Sequence, residues 1–146
     1  MKKTAIFKIV VTVCFVAIAI AVFVALGARF QSNTKTFNFA DITKIEITDG
    51  SNGNFAIITD QEQIQILIRP YNENEFRRGR SATNNTGRSY RISFYQDNMM
   101  GTGIDVNSNK RIAFEGYFYD TKDGAIDIDY YKVLINEQLE LQRAAN

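Results

Sequence analysis

The residues best equipped for chemistry in this chain are the arginines between positions 77 and 91. Arg77, Arg78 and Arg80 crowd together, Arg88 and Arg91 follow, and these five make up a large share of the 14 basic residues beyond position 28. Guanidinium groups grip carboxylate and phosphate in bidentate fashion, so an anionic group is the natural ligand. Tyr90 and Tyr95 lie close by, and Ser81, Thr83, Asn84, Asn85 and Thr86 add hydrogen-bonding capacity, while Glu73 and Glu75 dilute the positive charge. The plainer alternative is a solvated loop whose arginines pair locally, which is the usual fate of a surface charge run.

Other chemistry is thinly represented. Histidine is absent and the single cysteine, Cys14, lies in an apolar run. Ser/His and Cys/His pairs are therefore impossible beyond that run, as are a disulfide and a thiolate metal site. Asp105-Val106-Asn107-Ser108-Asn109 has the spacing that opens a calcium loop, but Lys110 stands where glycine is needed and Gly116 where a bidentate glutamate belongs. Asp120, Asp123, Asp127 and Asp129 read better as turn and cap residues than as ligands. Asn84-Asn85-Thr86 matches a glycosylation triplet, a pattern frequent by chance. No metal and no cofactor is expected.

The elements that must carry these residues follow from periodicity. Residues 9–28 (IVVTVCFVAIAIAVFVALGA) carry no charge, and as a helix they would span roughly 30 Å, the thickness of a bilayer core. Lys2, Lys3 and Lys8 precede the run and Arg29 closes it. By the positive-inside tendency residues 1–8 stay in the cytoplasm, 9–28 form a retained single-pass transmembrane helix, 29–36 a tether, and 37–146 an extracytoplasmic domain in the cell membrane's outer aspect. The rival is a cleaved signal, which the length of the apolar run disfavours. Without its three leading lysines the chain has 14 basic and 16 acidic residues, so no global charge draws it to nucleic acid.

Within 37–146, Thr43 to Asp49 and Phe55 to Thr59 alternate as a hairpin around Gly50–Asn54. Thr59 and Glu62 fit a capping box for a helix bearing Ile64, Leu67, Ile68 and Tyr71, ended near Arg69 by Pro70. Asn72 to Gly87 is aperiodic and reads as a long mobile surface loop. Ser89 to Gln96, Met99 to Val106, Arg111 to Phe114 and Tyr117 to Tyr119 read as hairpin-linked strands, and Asp127 or Asp129 caps a closing helix. The fold class is α+β: one transmembrane helix, then an antiparallel sheet of five or six strands with two helices.

Lys44-Ile45-Glu46-Ile47, Ile57-Ile58-Thr59-Asp60, Arg91-Ile92-Ser93-Phe94-Tyr95 and Ile128-Asp129-Tyr130-Tyr131 loosely resemble small Gram-positive membrane-anchored or lipoprotein domains of unknown function. The resemblance implies an envelope domain and carries no catalytic residue across. The sequence thus points to a non-enzymatic binding domain, tied to the membrane through 9–28. Its partner would be another envelope protein, or an anionic polymer or head group gripped by Arg77, Arg78, Arg80, Arg88 and Arg91. A small carboxylate-based envelope hydrolase and an immunity protein against a secreted peptide toxin are the competing readings.

Overall fold

The structure is a computed structural model that describes residues 16–21, 33–83, 87–97, 99–122 and 126–145. It divides into two compact units, Met1–Asn33 and Thr34–Asn146. In the first, the described residues are a helical stretch at 16–21, α1, whose side chains are exposed. Among the described residues no helix is long and apolar enough to cross a membrane. The transmembrane helix expected over 9–28 is corrected accordingly, and with it the single-pass topology and the cell-membrane placement that rested on it. The remainder of that expected span, 9–15 and 22–28, lies outside the described residues, as do 1–8.

The second unit is organised by one eight-stranded, wholly antiparallel sheet rather than the five or six strands expected. Its strands are β1 (Thr34–Lys35), β2 (Lys44–Asp49), β3 (Phe55–Ile58), β4 (Phe76–Ser81), β5 (Tyr90–Gln96), β6 (Met99–Ser108), β7 (Arg111–Phe114) and β8 (Tyr117–Thr121). Two helices accompany them, α2 (Gln61–Glu73) between β3 and β4, and α3 (Ile128–Ala144) after β8. The spatial order is β1-β4-β8-β7-β6-β5-β2-β3. Strands β5 to β8 form a meander, the β2–β3 hairpin extends it on one side, and β4 with β1 extends it on the other.

The two additional strands escape a periodicity search for a physical reason. In β4 the side chains after the buried Phe76 are all exposed, so neither face carries the alternating apolar signal that reveals a half-buried strand. β1 is only Thr34 and Lys35. The expected mobile loop over 72–87 is thus, in its first part, the end of α2 and then β4, which pairs with β8 from Phe76↔Thr121 to Ser81↔Tyr117 with a bulge between Arg78 and Ser81. Residues 84–86, including the glycosylation triplet, lie outside the described residues.

One face of the sheet builds the core. Ile45 and Ile47 of β2, Ala56 and Ile58 of β3, Ile92 and Phe94 of β5, Ile104 and Val106 of β6 and Ile112 of β7 point to it and are buried, as alternation requires. Ile64, Leu67, Ile68 and Tyr71 of α2 and Tyr131, Leu134 and Ile135 of α3 close the same core. An aromatic cluster fills one end: Phe39 stacks on Phe94 at 4.1 Å, and Phe37 meets Phe76 and Phe114 edge-on at 5.4 and 5.2 Å. Offset and edge-to-face pairs of this kind add about 1 kcal/mol each beyond their burial.

The helix ends differ from expectation in detail. Asp60 caps α2, its carboxylate accepting from Gln63 N at 2.9 Å, in place of Thr59. Pro70 lies inside α2, which runs on to Glu73. The helix survives the proline because the next turn is anchored from outside. Tyr71 is fully buried, Asn72 Oδ1 accepts from Phe39 N at 2.8 Å, and Asn74 Nδ2 donates to Pro70 O at 2.8 Å. Asp127 caps α3 through Tyr130 N at 3.0 Å.

Candidate functional site

The sheet face opposite the helices is open, and it gathers most of the arginines singled out from the sequence. Cross-strand register fixes which residues share it. Arg77 of β4 stands opposite Asp120 of β8, and Asp120 stands opposite Arg111 of β7. Further along, Asp105 of β6 lies between Ala113 of β7 and Arg91 of β5. Register thus puts Arg77, Arg91 and Arg111 on this side with Asp105 and Asp120, and contacts with Phe118 and Asp105 bring Arg80 and Arg88 to it.

The first subgroup centres on Phe118. The guanidinium carbons of Arg80 and Arg111 lie 5.7 and 5.5 Å from the centre of its ring, within the range of attraction between a cation and an aromatic face. Arg111 also binds Asp120 in a fork, Nε to Oδ1 at 2.6 Å and Nη2 to Oδ2 at 3.0 Å. That hydrogen bonding, reinforced by the charge of Asp120, raises the Arg111 pKa above its ordinary value. Both oxygens of Asp120 are engaged by Arg111. Arg77, across the strand from the same carboxylate, has no hydrogen bond or ion pair among the described residues. It lines a polar cleft of about 470 Å³ with Glu73, Glu75, Asp120 and Lys122. Gly79 leaves this part of the face low, since a side chain there would begin 3.5 Å from the Phe118 carbonyl.

The second subgroup surrounds Asp105. Arg88 Nη1 and Arg91 Nε approach Asp105 Oδ1 at 3.8 and 3.9 Å, too far for hydrogen bonds. Oδ1 is shielded from solvent and has no hydrogen-bond partner among the described residues. A cleft of about 230 Å³ opens beside it, lined by Arg91, Gly103, Ala113 and Glu115 among others. Arg91 lies across Gly103, its Nη2 3.6 Å from where a Cβ would stand, an ordinary contact distance. Arg88 is fixed from the other side: Gly50 N donates to Ser89 O at 2.8 Å, and a Cβ on Gly50 would fall 2.4 Å from the Arg88 carbonyl oxygen.

The structure therefore splits the sequence-derived cluster. Arg80 sits near Phe118, Arg77 stands across from Asp120 in the polar cleft, Arg88 and Arg91 sit together near Asp105, and Arg78 belongs to none of these. Arg78 projects to the other side of β4, where its guanidinium stacks 3.4 Å from the centre of the Tyr117 ring. Arg111 is the site residue that sequence spacing missed. Its one signal is an exposed arginine opening an alternating strand shortly before the acidic run that contains Asp120. Of that run, Asp120 is an ion-pair partner and Asp127 a helix cap, and Asp123 lies outside the described residues. Among the described residues no group of three or more His, Cys, Asp or Glu is placed to hold a metal ion. No family model, no curated protein and no solved structure matches this chain.

Proposed function

We propose that this chain is a binding module that docks an acidic surface of another protein through the arginine-bearing outer face of its sheet. The observation that supports this most directly is the arrangement around Phe118: Arg80 and Arg111 flank one aromatic ring, and Arg77, across from Asp120, has no hydrogen bond or ion pair among the described residues. Paired strands fix the backbone beneath these arginines, and the fork to Asp120 already orients Arg111. Arginines combined with an aromatic are the residue types that dominate binding energy at protein interfaces. On the helix-covered face most side chains of β2, β3 and β5 to β7 are committed to the core, and the exposed arginine there, Arg78, is stacked on Tyr117.

The test uses immobilised polyglutamate as the acidic probe and compares Arg77→Ser/Arg80→Ser with Arg78→Ser. All three arginines are exposed, so each substitution should change stability by about 0.5 kcal/mol or less. The double variant should lose binding several-fold and the wild-type signal should weaken as salt rises, while Arg78→Ser, on the opposite side of β4, should bind like wild type. Absence of wild-type binding at low salt, or equal losses in both variants, would remove the proposal.

A further inference from the structure

The sheet ends in a strand whose second side is unpaired among the described residues. β3 (Phe55–Ile58) pairs with β2 alone and forms one margin of the sheet. The hydrogen bond from Asp49 N to Asn54 O, 2.8 Å, sets the phase of that ladder. With the register Thr48↔Phe55, Ile47↔Ala56, Glu46↔Ile57 and Ile45↔Ile58, Ala56 and Ile58 turn their backbone groups toward β2. The N–H and C=O of Phe55 and Ile57 point out of the sheet. The same two residues carry the exposed apolar side chains of the strand, Phe55 at 43% and Ile57 at 45% exposure.

Sheet margins are normally blunted by a lysine, a proline, a bulge or a covering element, since a bare edge templates pairing with another chain. β3 has none of the first three: its sequence is Phe-Ala-Ile-Ile, and its register against β2 is unbroken. We propose that β3 is a self-association edge, pairing antiparallel with β3 of a second copy of this chain about a twofold axis at Ala56. In that register Phe55 of each copy faces Ile57 of the other, and all the outward N–H and C=O groups of those residues are satisfied. A twofold contact requires a patch complementary to itself, and the spacing of Phe55 and Ile57 about Ala56 meets that condition. Charge agrees as well. The stretch from Gly50 to Thr59 is uncharged; Glu46 of β2, across from Ile57, is separated from the other copy by β3 itself, and Asp60 would face the uncharged Asn52 of the other copy. The four side chains, Phe55 and Ile57 from each copy, would form one apolar strip on the outer faces of the joined sheets.

The experiment is sedimentation velocity on the full chain over a wide concentration range, with Ile57→Lys and Ile57→Pro as variants. Ile57 is exposed and its N–H points away from β2, so neither change removes a native ladder bond. Wild type should move from 16.6 kDa toward twice that mass, and each variant should dimerise at least about tenfold more weakly. Should Ile57→Pro fail to fold, Ile57→Lys alone decides. Amide exchange gives the geometry: the Phe55 and Ile57 N–H protons should slow as concentration rises, with Ala56 and Ile58 protected throughout. A wild type that stays monomeric, a dimer unaffected by Ile57→Lys, or a dimer that leaves the Phe55 and Ile57 amides fast would each overturn the proposal.

Discussion

Tyr71 and Tyr131 join α2 to α3 by a hydroxyl–hydroxyl hydrogen bond of 2.9 Å in the core. Both side chains are buried, and among the described residues each hydroxyl is the other's partner. Replacing Tyr71 by Phe keeps the ring and its contacts with Phe37, Phe76 and Phe94 at 6.2, 6.1 and 5.8 Å. What it removes is one hydroxyl, leaving the other buried with nothing to bond. An orphaned polar group of this kind costs about 1–3 kcal/mol, and Tyr131→Phe should cost a similar amount. In the double variant no orphan remains, so its cost should fall to about 1 kcal/mol or less, below either single change. For a folded unit the size of Thr34–Asn146, each single change should lower the melting temperature by roughly 5–15 °C. Thermal and urea unfolding followed by far-ultraviolet circular dichroism would measure all four corners of the cycle. If the two single costs simply add in the double variant, the hydroxyl pair is not the coupled unit described here.

The same pair predicts alkaline sensitivity. Burial, with the neighbouring Tyr131 contributing, raises the Tyr71 pKa well above its ordinary value, and burial pushes Tyr131 up to about 12. An unfolded tyrosine titrates near pH 10, so above that the unfolded chain binds fewer protons than the native one and stability falls as pH rises, by about 1.4 kcal/mol per pH unit for each such tyrosine. Urea midpoints should decline between about pH 10 and 12 and decline less in Tyr71→Phe/Tyr131→Phe; a flat profile would contradict the burial. Pro70→Ala should stabilise by about 1–3 kcal/mol, because it restores an interior helix N–H and removes the ring's clash with the preceding turn. A lower urea midpoint would show that the proline ring's packing outweighs both.

Much of the second unit could be read along the chain because one face of its sheet is buried. Where Ile45 and Ile47, or Tyr90, Ile92 and Phe94, alternate with polar residues, the period of two reports burial directly, and the strands at 44–49 and 90–96 lie where that pattern runs. Local chemistry likewise narrowed the cap of α3 to Asp127 or Asp129, and Asp127 holds it, needing only Tyr130 N three residues on. The same local reasoning failed at Pro70, where contacts from Phe39 and the aromatic core hold a turn that the proline disfavours. It failed over 9–28, where composition gave length and hydropathy but no helix among the described residues is long and apolar enough to cross a membrane.

The candidate site lay further from reach. The sequence by itself determined that arginines are dense between 77 and 91, that they can grip anions, and that no histidine accompanies them. Only tertiary structure decided which of them lie together. β4 carries no buried alternation beyond Phe76, so nothing local marks it as a strand, and its place beside β8 comes from a pairing across some forty positions. That pairing puts Arg77 across from Asp120, sends Arg78 to the other side of the strand, and brings in Arg111 from β7. Spacing along a chain fixes the alternation of faces within one strand; which strands become neighbours is set by burial shared among segments far apart in sequence.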